Sequence, residues 1–167
     1  MMFNEQTKPW FHYLMIGIFI VSVIGSLALY FGLAVHENES MGVKLAYWLA
    51  FGIPIMWFIW LSWAFSIYDI QYDGNFLSFG YLGWGVKFKN SEINSAKVVE
   101  IKWLKWGGLG WRIRGLKRIG YIVKSGTGVE LETQRKGRVY TFNCNDPKSL
   151  LDLLERSGIE VSRDSAV

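Results

Sequence analysis

Two long runs without a charged residue constrain this chain more than any other feature. The first run covers residues 14–35 and the second covers residues 45–68. As helices rising 1.5 Å per residue they would measure about 33 and 36 Å, enough to cross a hydrocarbon core of about 30 Å. Neither run carries a polar face that could meet water. The sequence therefore predicts two transmembrane helices rather than two core helices of a soluble domain.

The charges outside these runs predict how the chain is oriented. Only residues 36–44 separate the two runs, which forces an antiparallel hairpin and puts both termini on one side of the membrane. Of the 18 Lys and Arg residues, 16 follow Tyr68. The positive-inside rule then places both termini in the cytoplasm, as in a multi-pass protein of a cytoplasmic membrane. A signal peptide is the competing interpretation of the first run. The run is, however, longer than the apolar region of a signal peptide, and only one basic residue, Lys8, precedes it.

Both apolar runs contain residues suited to packing within a membrane. Small residues recur at helical spacing along one side of the first run and would let another helix approach closely, either the second run or another subunit. Two tryptophans of the second run lie deeper than the interfacial belts, which suggests contact with another protein, a pigment or a lipid, or simply bulk facing lipid. Neither run contains Asp, Glu, Lys or Arg, which argues against a transporter or a proton pump. The predicted packing residues are Gly17, Gly25, Ala28, Gly32, Trp57 and Trp60.

The remainder of the chain predicts a β-rich domain over residues 69–160, after a hairpin domain over residues 1–68 and before a loose tail over residues 161–167. Asp73-Gly74 is a strong hairpin signal, because glycine accepts the positive φ that a tight turn needs. Asp146-Pro147 begins a leucine-rich helix that stops at Gly158. Strands at this spacing indicate an antiparallel barrel or a sandwich closed by the helix. The predicted strands are Tyr68–Tyr72, Phe76–Phe79, Gly85–Lys89, Ala96–Trp103, Trp111–Arg114, Arg118–Lys124, Val129–Thr133 and Arg138–Asn143.

The last 60 residues carry a family resemblance. They contain Gly-Thr-Gly-Val-Glu-Leu at residues 126–131, a Gly-Arg turn at 137–138, an aromatic strand, and then Asp-Pro before the leucine-rich helix. This order of motifs resembles the bacterial pleckstrin-homology-like families. The resemblance implies an α+β membrane protein in which a split antiparallel barrel, capped by a C-terminal helix, follows two transmembrane spans. It also implies a role in interactions, although a fold alone fixes no activity.

A basic, tryptophan-rich segment is the candidate binding surface. Between Lys87 and Lys124 there are ten Lys and Arg residues against Glu92 and Glu100. Three interpretations compete: contact with anionic lipid headgroups, docking on an acidic partner protein, or ordinary alternation of core tryptophan and solvated lysine on strands. Nucleic acid is not expected, since no recognition helix or aromatic RNA-binding motif accompanies the charge. The candidate docking residues are Lys102, Trp103, Lys105, Trp106, Trp111, Arg112, Arg114, Lys117 and Arg118.

The sequence offers little that could carry catalysis. Its only histidines, His12 and His36, flank the first apolar run on opposite sides, so they cannot build a triad or a metal site together. Cys144 has no base nearby in sequence, and Glu130 and Glu132 alternate along one strand like a solvated pair. We therefore expect no catalytic residue, no metal and no cofactor.

These features together predict a non-catalytic, membrane-anchored interaction module. The expected role is that of an accessory or assembly subunit, whose partners are membrane lipids and other integral membrane subunits. The alternative is a module that senses anionic lipid or a small ligand, alone or as a homo-oligomer.

Overall fold

The computed structural model describes residues 2–32 and 40–162, and the chain divides into two compact units. The helical unit is Trp10–Ser66, and the β unit combines Met1–Pro9 with Ile67–Val167. The predicted hairpin domain began at residue 1, whereas the first nine residues belong to the β unit. The reason is a strand near the N-terminus, at Phe3–Thr7, that pairs with a strand more than 60 residues later.

The helical unit consists of helix α1, Trp10–Gly32, and helix α2, Met41–Ala64. The ring of Phe11 meets that of Phe65 edge-on, with centroids 6.1 Å apart. The Oγ atom of Ser62 lies 3.5 Å from Nδ1 of His12. Partly buried residues recur every three or four positions on each helix, so one face of each helix packs against the other. On α1 these positions include Phe11, Met15, Phe19, Ser22 and Ser26, and on α2 Phe51, Ile55, Phe58 and Ser62.

Among the described residues, one helix is long and apolar enough to cross a membrane. By length and composition the candidate is Trp10–Ala28, of which only 6% is buried. The apolar part of α2, Leu49–Ala64, would measure about 24 Å, short of a hydrocarbon core of about 30 Å. The sequence predicted two spans, and the described part of the chain contains one candidate. Residues 33–35 of the first predicted span lie outside the described residues, and Tyr68, at the end of the second, belongs to a strand.

The β unit begins with a four-stranded antiparallel sheet. Its strands in spatial order are β1 (Phe3–Thr7), β2 (Tyr68–Tyr72), β3 (Phe76–Tyr81) and β4 (Trp84–Lys89). The predicted Asp73-Gly74 turn is confirmed: Oδ1 of Asp73 accepts hydrogen bonds from the backbone N–H groups of Asn75 and Phe76, and Gly74 has a φ of 95°. Strand β1 is tied to the rest of the unit through the Glu5 carboxylate, which accepts a 2.9 Å hydrogen bond from the backbone N–H of Asn145.

A six-stranded mixed sheet and one helix complete the β unit. The strands are β5 (Ile93–Ile101), β6 (Gly110–Arg114), β7 (Arg118–Ile122), β8 (Gly126–Thr133), β9 (Val139–Asn143) and β10 (Glu160–Ser162), in the spatial order β10-β5-β8-β9-β7-β6. Strands β7 and β9 run parallel, as do β10 and β5. Helix α3, Pro147–Arg156, begins where predicted, with the Asp146 side chain accepting from the N–H of Ser149.

The predicted tail needs a correction at its start. Residues 161 and 162 lie in β10, where Val161 pairs with Ala96 of β5. A three-residue strand at the end of a chain leaves too short a pattern to recognise in the sequence. Residues 163–167 of the predicted tail lie outside the described residues.

The two sheets pack face to face over an aromatic core. The ring of Phe79 on β3 stacks on that of Phe142 on β9, with centroids 4.0 Å apart and planes 15° from parallel. Tyr121 and Tyr140 meet the same ring edge-on. Three leucines of α3 are also buried. The predicted barrel is therefore wrong in one respect: the described strands form two separate sheets, with no closed barrel. The α+β class is confirmed.

Candidate interaction surface

The predicted docking segment lies at one edge of the six-stranded sheet. A short 3₁₀ helix, Trp103–Trp106, leads into β6, which is the last strand of its sheet and pairs with β7. Residues 115–117 form the loop between these two strands. All four residues from Trp111 to Arg114 are exposed, and so are all four from Gly115 to Arg118. We call the exposed side chains of residues 102–118 the basic surface.

The cations of the basic surface are largely unneutralised. Its six Lys and Arg residues are accompanied by no Asp or Glu within residues 102–118. Lys102 lies 3.5 Å from Glu100, and Arg118 lies 4.0 Å from Glu130, which is itself held by Lys97 at 2.9 Å. Within the described residues the other four cations form no ion pair: Lys105, Arg112, Arg114 and Lys117.

Exposed aliphatic side chains lie between these cations and were not predicted from the sequence. Leu104 is 74% exposed, Ile113 is 59% exposed, and Leu116, in the loop between β6 and β7, is 96% exposed. In the sequence each of them is an apolar residue between cations in a predicted turn or strand, a pattern that is also typical of a buried core residue. The structure thus adds three apolar side chains to a surface predicted from tryptophan and charge alone.

The two faces of β6 differ in character. Trp111 pairs with Tyr121 and Ile113 pairs with Ile119, and both partners on β7 are buried. Because residues opposite each other share a face, Trp111 and Ile113 extend the inner, apolar face of the sheet out to its edge. Burial raises the pKa of Tyr121 to about 12, so its hydroxyl stays protonated. The arginines of β6 occupy the opposite face.

Trp106 differs from the other tryptophans of the segment. It is only partly exposed, and its ring packs over the backbone of Gly120 on β7. A Cβ atom at residue 120 would lie 2.7 Å from one ring carbon of Trp106 and 2.8 Å from another. Trp106 therefore packs within the fold, whereas Trp103 and Trp111 remain exposed.

The predicted packing residues of α1 face away from α2. Gly17, Gly25 and Ala28 are exposed, and a Cβ atom added to either glycine would meet nothing within 4 Å. The small residues therefore do not serve the contact between α1 and α2, which uses the opposite side of α1. The surroundings of Gly32 lie outside the described side chains.

Trp57 and Trp60 lie together on the exposed side of α2. Their ring centroids are 5.1 Å apart. With Gly52, Ile53 and Met56 they border an open apolar groove of about 580 Å³. The sequence placed these two rings deep in a membrane, and the structure leaves them exposed at the helix surface.

Two other features of the described part of the β unit involve polar or reactive side chains. A cleft of about 330 Å³ is lined by Asp69 and Lys87, with Gly80 and Gly85 among its other lining residues. The Cys144 thiol is buried, and burial together with the nearby Glu5 carboxylate raises its pKa, so it stays protonated. No group of three or more potential metal ligands occurs among the residues that the structure describes.

Comparison with known proteins assigns no family to this chain. No protein-family model matches it, and no curated protein matches it either. The likeness to pleckstrin-homology-like families therefore stays a prediction from the sequence.

Proposed function

We propose that this chain is a non-catalytic, membrane-anchored interaction module that serves as an accessory or assembly subunit of a larger membrane complex. In this proposal α1 and α2 form a transmembrane hairpin in a bacterial inner membrane. The β unit is a pleckstrin-homology-like domain on the cytoplasmic side, where it carries the docking surface.

The observation that carries the proposal is the composition of the basic surface. It combines six cations with exposed tryptophan and aliphatic side chains at one edge of a sheet. Arginine and tryptophan are favoured anchors of interfaces, and cations without counter-charges favour a negatively charged contact. The β unit is joined to the helices twice, by residues 8–9 and 65–67, so the concentration of membrane components around it is effectively high.

The helices supply the second part of the argument. Their apolar side chains are exposed on most sides, as expected for helices surrounded by lipid or by other membrane helices. Gly17 and Gly25 are exposed, and a Cβ atom added to either would meet nothing within 4 Å. Small residues on a lipid-facing side allow the backbone of a further helix to approach closely.

Co-purification tests this function. We expect the untagged chain, extracted from its native membrane in mild detergent, to migrate with a stoichiometric set of integral membrane proteins. Gly25→Leu should reduce their recovery several-fold, because the larger side chain separates the helices. Ile24→Leu, at the neighbouring exposed position, is the matched control and should recover them in full. A chain that migrates alone would refute the accessory role.

A further inference from the structure

We propose that the negatively charged partner of the basic surface is the anionic leaflet of the bilayer, and that Leu116 inserts into it from the loop between β6 and β7. The inference rests on the proposed function in one respect, that α1 and α2 hold the chain in a membrane. It adds the identity of the partner and the residue that enters it.

The exposure of Leu116 is the first observation. At 96% it is the most exposed of the large hydrophobic side chains described, and it stands in a three-residue loop rather than on a packed face. A single exposed leucine is ordinary on a protein surface. Leu116, however, lies at the tip of a hairpin with cations on both sides. This arrangement can place the leucine below the lipid headgroups while the cations stay at the level of the headgroups.

The cations beside the loop are the second observation. Arg114 and Arg118 are directly opposite each other at the end of the β6–β7 pairing, with Lys117 between them along the chain. Like charges opposite each other weaken a strand pair. Arg118 has Glu130 at 4.0 Å, while Arg114 and Lys117 form no ion pair within the described residues. An array of phosphates facing the loop would relieve this repulsion.

A bilayer fits these observations better than an acidic protein does. A protein partner would need a shaped pocket for one projecting leucine, whereas the headgroup and acyl boundary accepts it without one. Anionic lipid attracts each nearby cation without requiring fixed geometry. The two short covalent links to α1 and α2 also keep lipid available at high effective concentration. An acidic protein partner is therefore retained as an outcome of the test.

An environment-sensitive probe at residue 116 tests the insertion in the full chain. Leu116→Cys, labelled with a nitrobenzoxadiazole fluorophore, is reconstituted into nanodiscs of phosphatidylcholine alone or with one third phosphatidylglycerol. Cys144 is buried and should escape labelling. The matched control is Leu82→Cys, at an exposed leucine between β3 and β4. We expect a blue-shifted emission, several-fold brighter, only for residue 116 in anionic discs.

Charge variants separate insertion from other causes of such a shift. Combining Arg114→Gln, Lys117→Gln and Arg118→Gln should abolish the shift. Combining Lys136→Gln, Lys148→Gln and Arg156→Gln removes the same charge from exposed positions elsewhere and should preserve it. High salt should weaken the shift, because the attraction is screened. Equal emission in neutral and anionic discs, or an equal shift at residue 82, would overturn the proposal.

Partner proteins give the remaining outcomes. If residue 116 shifts only after co-purified subunits are added to the discs, a protein is the partner and lipid insertion is wrong, while the accessory role stands. If the probe shifts in anionic discs but the chain co-purifies with no subunit, the insertion stands and the accessory role fails.

Discussion

The packing of Trp106 on Gly120 leads to a quantitative prediction about which part of the basic segment is structural. A Cβ atom at residue 120 would lie 2.7 and 2.8 Å from ring carbons of Trp106, and 3.2 Å from Cδ1 of Ile122. Gly120→Ala therefore forces the indole ring to move, and overpacking of this kind costs about 1–3 kcal/mol. Once the indole ring is removed, the nearest atom to the methyl group is Cδ1 of Ile122, at 3.2 Å.

A double-mutant cycle isolates this contact. We expect Gly120→Ala to cost about 2 kcal/mol in the parent and close to zero in a Trp106→Ala background, which gives a coupling of about 2 kcal/mol. Calorimetry of the full chain in mild detergent measures it, since about 1 kcal/mol moves the Tm of a domain this size by roughly 4 °C or more. Gly85→Ala is the matched control, because its Cβ atom would meet its nearest neighbour at an ordinary 3.6 Å.

Two results would refute this reasoning. If Gly120→Ala lowers the stability no more than Gly85→Ala does, the ring of Trp106 does not lie over the strand. If Gly120→Ala lowers the free energy of unfolding equally with and without the indole ring, the two residues are independent. In either case Trp106 would return to the set of side chains available for docking.

Three further predictions concern the stability of the β unit. Tyr81→Phe should lower the free energy of unfolding by about 1 kcal/mol, because the hydroxyl donates a 2.8 Å hydrogen bond to the carbonyl of Ile122; chemical unfolding measures it. Asp146→Ala should lower the Tm in calorimetry, since it removes the side chain that accepts from the N–H of Ser149 at the start of α3. The pKa of Asp146 is lowered from 3.8 by its hydrogen bonds with Ser149, and that of Asp73 by backbone N–H groups. Each of these carboxylates therefore stabilises the fold at pH values above its unfolded pKa, and this contribution is lost as acid protonates it. The Tm should decrease when the pH is lowered below about 4. The decrease should be smaller when both residues are replaced by Asn.

Local patterns in the sequence were enough to predict most elements of the β unit. Strand β2 has the predicted bounds, the Asp73 turn forms as expected, and α3 begins after Asp146. Each depends on neighbouring residues: β-branched and aromatic runs, turn chemistry, and a helix cap. The pairing of strands depends on distant residues, which is why the parallel β7–β9 and β10–β5 pairs were not predicted.

Strand β1 shows why the remaining elements were missed. Its sequence, Phe-Asn-Glu-Gln-Thr, has one large apolar residue and no strand signal of its own. It forms because β2 offers a free edge and because Glu5 accepts hydrogen bonds from the backbone around Asn145. Both partners are more than 60 residues away, so no window of sequence contains the cause.

Only part of the candidate surface could be predicted from the sequence. Charge and tryptophan content identified residues 102–118, but exposure separates Trp106, which packs on Gly120, from Trp111, which stays exposed. Leu116 could not be distinguished from a core residue, because its 96% exposure results from its position in a loop.

Labelling of single cysteines in intact cells tests the membrane hairpin most directly. Ser40→Cys lies at the start of α2, and Leu82→Cys lies between β3 and β4 of the β unit; both positions are exposed. If both helices cross the membrane, a membrane-impermeant maleimide should label residue 40 from outside and residue 82 only after the membrane is permeabilised. Labelling of both positions under the same condition would contradict a hairpin with a cytoplasmic β unit.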